Sequence, residues 1–594
     1  MRRLTLPAMA TALASLCLML ACQETDFLDN TQTTDLNEQT VFVDSTYATQ
    51  FFFGIFEDIG FDSDPQRFND GALIFPRFSG GLDGASDESE PHVIPAITTD
   101  VQFASGTVNS AIVAHDAWDI GYKNIRRVNQ FISHLDLMPF KQQQKDQMKA
   151  ETRFLRAWYY AQLLKHYGGV PIVYDTVYSD KDKIDATRKT YAECVNYIIS
   201  ECDAAAAVLP IKSTTRDYGH IGSGACKALK ARVLLYAASP LFNGSQFAGS
   251  EPLNSIVGYP SYDPERWKKA ADAARDVIAL NAYKLHVNNS PVRGEGFYEE
   301  FLSKDFSNTN GSEGLILERN STESNRKEQL FQPPSRGGGQ GGAYPYQGIV
   351  DAFPMANGMA ITDPGSGYDP QHPYDNRDPR LANSINRDQS LMPMVLQGSP
   401  VPIDIFIGKN PNSKYQGRSP GQDAVHLGTP TGYYCNKRLH RVVLGNSFVQ
   451  GPAARPVMRY AEVLLNFAEA TNEYDGPTSE VYAALEAIRD RAGILPATVT
   501  PGLSKEQMRD FIRNERRIEL AFEGHRFFDV RRWMIAGQTE NDEAIGMEVI
   551  RDGDEVSYRP YVVRKRVFRQ AMYFWPIPYA ETAKSVELLQ NPYY

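Results

Sequence analysis

Phe154, Ala157, Trp158, Ala161 and Leu164 stand at i, i+3, i+4, i+7 and i+10 in a run free of helix breakers. That spacing lines them along one face of a helix. Gly168-Gly169 ends the run, and Pro171 forbids its resumption. The same pattern predicts a helix from about 110 to 134, carrying Trp118, Tyr122, Ile125 and Val128, and others near 189–208, 222–238 and 264–280. Small residues recur in these segments (Ala204 to Ala207, Ala228, Ala231, Ala270, Ala271, Ala273, Ala274), and small side chains let paired helices approach closely. Helices are predicted again at 456–474, 478–492 and 504–535. Arg459 to Pro496 reads as a helix–turn–helix of about the 34 residues of a tetratricopeptide unit. Tyr460, Leu464, Phe467 and Ala468 are its expected inner stripe. The stretch 283–455 differs: it is rich in Gly, Pro and Asn, with Gly337 to Gly342 and short apolar runs such as Gly314 to Leu317, and reads as loops with short strands. The expected fold class is mainly α, helix pairs with an irregular lobe.

The first residues read as an address. Arg2 and Arg3 precede an uncharged stretch from Leu4 to Cys22, the layout of a secretory signal peptide over 1–21. Thr5, Pro7, Thr11 and Ser15 make it too polar for a spanning helix. Met19-Leu20-Ala21-Cys22 resembles a bacterial lipobox, in which the Cys is lipidated and becomes the first residue. Residues 22–40 follow as a polar tether. Acyl chains on Cys22 would hold a soluble body at a membrane, since each buried methylene contributes roughly 0.8 kcal/mol. Cys194, Cys202, Cys226 and Cys435 are expected as buried thiols. Cys194 and Cys202 lie eight apart on one helix, about 12 Å of rise and too far for a disulfide.

Charge and motifs exclude several chemistries. With 61 basic against 72 acidic residues the net charge is -11, which is not the footprint of a nucleic-acid binder. There is no CxxC, HExxH or GxSxG, and Gly337 to Gly342 lacks the Lys-Ser/Thr of a phosphate loop. No metal site, cofactor or catalytic residue is therefore expected. Glu515, Glu519 and Glu523 fall at i, i+4 and i+8, interleaved with Arg516, Arg517 and Arg526. A glycosidase needs two carboxyl groups facing each other across a sugar, about 5–10 Å apart. Neighbours on one helix face point the same way, so an ion-pair network with adjacent elements is the favoured reading. His525 reads as structural. The polar group Asn376, Arg377, Asp378 and Arg380 reads as a turn held by Arg–carboxylate contacts, in preference to a Ca²⁺ site.

Several segments together resemble the SusD/RagB family of outer-membrane nutrient-binding lipoproteins. They are RFLRAWYYAQLLKHYGGVPIV (153–173), NRDPRL (376–381), RYAEVLLNFAEATNE (459–473), ERRIELAFEGHRFFDVRRW (515–533) and WPIPYAETAKSVELLQNPYY (575–594). The lipobox followed by Asp26-Phe27-Leu28-Asp29 is similar to the family's start. The likeness spans essentially the whole chain after the leader. It implies a platform of tetratricopeptide-like helix pairs, an irregular lobe carrying most ligand contacts, no catalysis, and residence on the outer face of the outer membrane. It further implies a SusC-like TonB-dependent β-barrel partner, which the protein caps like a lid. Members bind oligosaccharides, while RagB-like members handle peptides, so the fold does not fix the ligand.

The division expected is a helical region over 41–282, a ligand lobe over 283–455 and a second helical region over 456–594. Sugars present apolar C–H faces and polar rims, which suit flat aromatic rings beside Asp, Asn or Arg. Two aromatic-rich stretches fit. One is 61–90, with Phe61, Phe68, Phe75, Phe78, Asp83 and Asp87. The other is 297–346, with Phe297, Tyr298, Arg319, Asn320, Arg336, Tyr344 and Tyr346. The expected ligand residues are Phe78, Asp83, Tyr298, Asn320, Arg336 and Tyr346. The expected function is glycan capture at the cell surface for delivery to the barrel. Peptide binding by the same architecture is the alternative, and a lipid-anchored glycosidase or a pure helical scaffold ranks lower.

Overall fold

The long helices lie where the periodicity placed them, and their ends have local causes. A computed structural model describes residues 38–64, 67, 80–91, 98–212, 219–301, 312–321, 331–336, 342–392, 400–408, 421–439, 443–444, 447–448, 453–552 and 554–594. The leader, Cys22, most of the tether, Phe68, Phe75, Phe78 and Gly337 to Gly341 fall outside these residues. A short helix, Glu38–Val43, starts inside the stretch read as tether.

Helix α1 spans Asp116–Ser133 and α2 Gln142–Tyr167. Gly168 ends α2 with φ 76°, a left-handed conformation natural to glycine. The chain beyond is fixed by Arg188, whose guanidinium donates to the carbonyls of Gly169 at 2.7 Å and Tyr167 at 2.6 Å. It also reaches the C-terminal segment at Leu589 O and Asn591 Oδ1. Helix α3, Tyr191–Ala206, begins with a capping box in which Thr190 and Glu193 satisfy each other's backbone N–H. Helices α4 (Ser223–Ala238), α5 (Glu265–Ile278), α6 (Tyr460–Asp475), α7 (Ser479–Arg491) and α8 (Lys505–Glu519) follow. A second capping box, Ser504 with Gln507, opens α8.

Each helix packs on the next: α1 on α2, α2 on α3, α3 on α4, α4 on α5, α5 on α6, α6 on α7 and α8. The result is a staircase of antiparallel helix pairs, the expected tetratricopeptide-like platform. Its core is continuous, with Phe154, Leu155, Trp158, Tyr159 and Tyr160 of α2 all buried. The partners α5 and α6 are neighbours in space although the irregular lobe separates them in sequence. Residues Ala461 to Asn472 of α6 are buried on every side, so the stripe read for Tyr460, Leu464, Phe467 and Ala468 is only part of the contact. A helix enclosed by four neighbours has no solvent face to keep polar.

One expected helix is two. The run read as 504–535 stops at Glu519 and restarts as α9, Arg526–Arg532. Phe522 and Gly524 take positive φ of 59° and 78° between them, and the Gly524 N–H donates to Asp83 Oδ1 at 2.8 Å. Gly524 thus lies in the break between α8 and α9, where its positive φ favours a glycine.

The lobe is built from short pairings. Strand β1, Leu315–Ser321, runs antiparallel to β2, Ala453–Arg459, which leads directly into α6. Ser89–Glu90 pairs with Tyr344–Pro345, and Ile385–Asn386 with Tyr434–Cys435. The stretch expected to be helical to the C-terminus contains a long hairpin, β3 Glu543–Asp552 and β4 Glu555–Lys565. Strand β3 adds Ile407–Gly408 in parallel, so this hairpin belongs to the lobe in space. The cysteines Cys194, Cys202, Cys226 and Cys435 are free and buried, as expected. Burial pushes the Cys194 thiol up to about 11 and that of Cys435 to about 12. Among the described residues no helix is long and apolar enough to cross a membrane.

Candidate ligand site

The carboxylate stripe is buried and fully engaged. Glu515 receives Arg380 at 2.6 Å, and Glu519 receives Arg380 at 3.0 Å, Arg459 at 3.1 Å and Arg491. Glu523 takes Arg459 at 2.8 Å and Lys437 at 2.7 Å. Arg491 also meets Glu300, and Arg380 also pairs with Asp378 at 2.8 Å. Glu300, Asp378, Arg380 and Lys437 come from the lobe, while Arg491, Glu515 and Glu519 come from the platform. The network therefore ties one to the other. Burial alone would raise the Glu519 carboxyl, yet Arg491, Arg459 and Arg380 outweigh it and hold it at about 2. The turn at Asn376 to Arg380 is held by Arg–carboxylate contacts as read, with Asp378 also capping the short helix Pro379–Ser384. A second network, in which Asp529 bridges Arg516 and Arg532 and Glu469 clamps Arg532, seats α9 on α6 and α8.

A depression of about 700 Å³ opens on the lobe. Its floor is the two-residue pairing of Glu90 with Tyr344, beside Pro334. One wall is His426 to Pro430, the other Tyr561 to Arg564 of β4. His426 adopts φ 68° and its ring lies 4.8 Å from that of Tyr561. Its Nε2 is 2.8 Å from Glu548 Oε1. Tyr561 donates its hydroxyl to Pro430 O, which pins the ring upright. Leu427 and Val562 stand exposed at the rim, Leu427 by 71%. Arg564 forks onto Glu90 with Nε at 3.0 Å from both carboxylate oxygens. Flat rings, two apolar rim residues and a fixed Arg–Glu pair make an amphipathic surface suited to a sugar's C–H face and hydroxyl edge. Among the described residues Glu90 is the single carboxylate in the lining, and they bring no second one opposite it of the kind glycoside hydrolysis needs.

The residues chosen from sequence lie mostly behind such a surface. Tyr346 is buried and donates to Glu90, so it orients a lining residue without lining the depression itself. Arg336 is buried and donates to the carbonyls of Val401 and Pro402 at 3.0 Å, while Ser335 caps onto Asp423; together they fix the turn carrying Pro334. Tyr298 is buried with its hydroxyl 3.0 Å from Leu439 O. Asp83 is buried on the Gly524 N–H, away from this surface. Asn320 sits in β1 opposite Ala454. Phe78 lies outside the described residues. Asp83, Tyr298, Arg336 and Tyr346 are thus internal supports here: a buried polar tip is satisfied within the protein before it can meet a ligand. Tyr344, in the same aromatic stretch, does reach the depression. His426, Leu427, Tyr561, Val562 and Arg564 were not anticipated. The available signal was Asp552-Gly553 ahead of the β-prone run Tyr558 to Val563, a hairpin signature.

The model of the SusD family matches residues 303–594, and a second, described as starch-binding associating with outer membrane, matches 85–235. The SusD-like protein P2 of Formosa agariphila is 26% identical over 449 residues, 73% of this chain and 74% of its own. A SusD-like protein from Bacteroides fragilis shares the fold with a TM-score of 0.74 at 23% identity, over 93% of this chain and 98% of its own. A SusD-like carbohydrate-binding protein from the same organism aligns with a TM-score of 0.69 at 22% identity, over 93% of this chain and 100% of its own. With two family models spanning most of the chain and the helix-pair platform in place, the chain belongs to the SusD/RagB family.

Proposed function

We propose that this protein is a cell-surface lipoprotein, anchored at the outer membrane through Cys22, that binds oligosaccharides without cleaving them and passes them to a SusC-like TonB-dependent barrel. The observation that carries the reading is the open depression with Tyr344, His426 and Tyr561 as its rings and Arg564–Glu90 as its polar edge. Support comes from the carbohydrate-binding description of a relative with the same fold and from the starch-binding, outer-membrane description of one matching family model. The commitment of Glu515, Glu519 and Glu523 to ion pairs also favours binding over hydrolysis, because a general acid must exchange protons with its substrate. Asp83, Tyr298, Arg336 and Tyr346 enter this proposal as supports of the ligand face, with Phe78 and Asn320 as contacts still to be tested.

Calorimetric titration of a soluble Cys22→Ala protein with oligosaccharide and peptide panels tests the proposal. Saturable binding of a glycan with no change in its chain length is expected. Binding confined to peptides, or turnover of the glycan, would overturn it. Membrane fractionation of the native chain tests the anchor, and co-purification with a large β-barrel tests the partner.

A further inference from the structure

A second concavity in the same lobe, of about 530 Å³, has a different electrical character. Its wall includes Tyr374, Arg377, Ile385 to Arg387, Gln389 to Met392, Tyr433 and Asn436, with Arg293 at the edge. Tyr374 is held rigidly. Its hydroxyl lies 2.8 Å from that of Tyr433, and the Tyr433 and Tyr558 rings meet it edge-on at 6.4 and 5.6 Å. The Arg387 guanidinium stacks 4.7 Å above its face.

Three arginines border this space, and neither Arg293 nor Arg387 has an ion-pair partner among the described residues. Arg293 is exposed. Arg387 donates to the Asp388 carbonyl at 2.9 Å, while the Asp388 carboxylate is taken by Arg551 at 2.9 Å and by the N–H groups of Ile405 and Phe406. Arg377 is only 7% exposed and spends its two terminal nitrogens on the carbonyls of Pro373, Val350 and Phe353, leaving its Nε–H without a partner. The one carboxylate of the wall among the described residues, Asp378, is occupied by Arg380 and by that residue's N–H. Asp351, near Arg377, accepts from Gln347, and Asp375 is exposed beside Tyr374. A chain with net charge -11 thus carries a concavity whose uncommitted charge is positive.

We propose that this concavity is a second ligand site, separate from the open depression, for an anionic sugar residue whose carboxylate meets Arg387 and Arg293 while its ring lies along Tyr374. The amides of Asn386 and Asn436, bonded to each other at 3.0 Å, stand where hydroxyls would pass, and Leu391, 65% exposed, borders the entrance. The proposal rests on the glycan-binding reading and adds the ligand's charge. Arg fits the carboxylate because its planar fork meets two oxygens at once.

The test titrates the protein with tetramers of galacturonate and of mannuronate, each as free acid and as full methyl ester, and with neutral glucose oligomers. At least one acid should bind about tenfold more tightly than its ester, the size of one charge-assisted contact. R293A with R387A should erase that preference, and R387K should restore part of it. Tyr561→Ala, in the depression, should leave the acid–ester ratio alone. Equal affinity for acid and ester, including binding of neither, or a preference that survives the double variant, would overturn the second site. In those cases binding of the neutral oligomers would leave the glycan reading standing, whereas no binding of any sugar would remove both. Arg293 is exposed and Arg387 half-buried, so circular dichroism of the variants should match the parent.

Discussion

The junction of lobe and platform and the open depression are built from the same residue types, and they behave in opposite ways. At the junction Arg380, Arg459, Arg491, Lys437, Glu515, Glu519 and Glu523 are nearly all inaccessible; all but Lys437 meet more than one opposite charge, and Lys437 adds two backbone carbonyls to its pair with Glu523. Beside the depression Arg559 and the lining residue His426 approach Glu548 from solvent, with side chains 60% and 48% exposed. A buried charge must be paired, so losing one partner strands the others. An exposed charge is hydrated whether paired or not. The junction can therefore only be structural, while the depression can exchange its water for a ligand.

The largest expected effect breaks the junction. Glu519→Ala leaves Arg380, Arg459 and Arg491 facing each other and should cost about 3–5 kcal/mol of unfolding free energy, read as a fall in the denaturation midpoint. A loss below about 1 kcal/mol would show that the network is solvated and the contrast false. Its acid response has a definite sign. The folded Glu519 carboxyl is held at about 2, below its unfolded value, so its contribution is complete above pH 5 and disappears as pH falls through about 2.

A smaller effect has the opposite sign. Burial raises Asp100 to about 7, with Oδ2 lacking a hydrogen-bond partner. Asp83 and Glu88 are raised by burial too. The folded state keeps these protons while the unfolded chain releases them near pH 4, so stability should fall as pH rises from 5 to 8. Asp100→Asn should flatten that fall by about 2–3 kcal/mol, the worth of roughly two pKa units between pH 5 and the folded value near 7. Urea midpoints at pH 5 and 8 would check it, and an unchanged slope would place the carboxyl in water.

The contrast also explains what could be read in advance. Phe154 to Leu164 and the stop at Gly168 act over a few helical turns, so the long helices of the platform were legible from spacing, and their arrangement from the resemblance. The junction was legible in part, because a stripe on one helix face cannot straddle a substrate. The depression was not. It joins Glu90, Tyr344, His426 and Tyr561, which lie far apart in sequence, and only the folded chain makes them neighbours. Aromatic content pointed to 297–346, but could not separate Tyr344, which is buried yet lines the depression, from Tyr298 and Tyr346, whose hydroxyls point to Leu439 O and Glu90. The break at Phe522 to Gly524 was hidden because the helical pattern continues across it.

The mildest changes sharpen the comparison most, since they separate binding from stability. Tyr561→Ala removes one ring from the depression and should weaken glycan binding five- to tenfold, about 1 kcal/mol. An affinity that holds steady would move the ligand elsewhere on the lobe. Arg559→Ala, on the same hairpin, removes an exposed partner of Glu548 and leaves His426 in place. Its cost should stay below about 0.5 kcal/mol, several-fold less than any partner removed from Glu519. If Arg559 proved as costly as the junction arginines, exposure would not be what distinguishes the two regions, and the depression would have to be regarded as a second structural clamp.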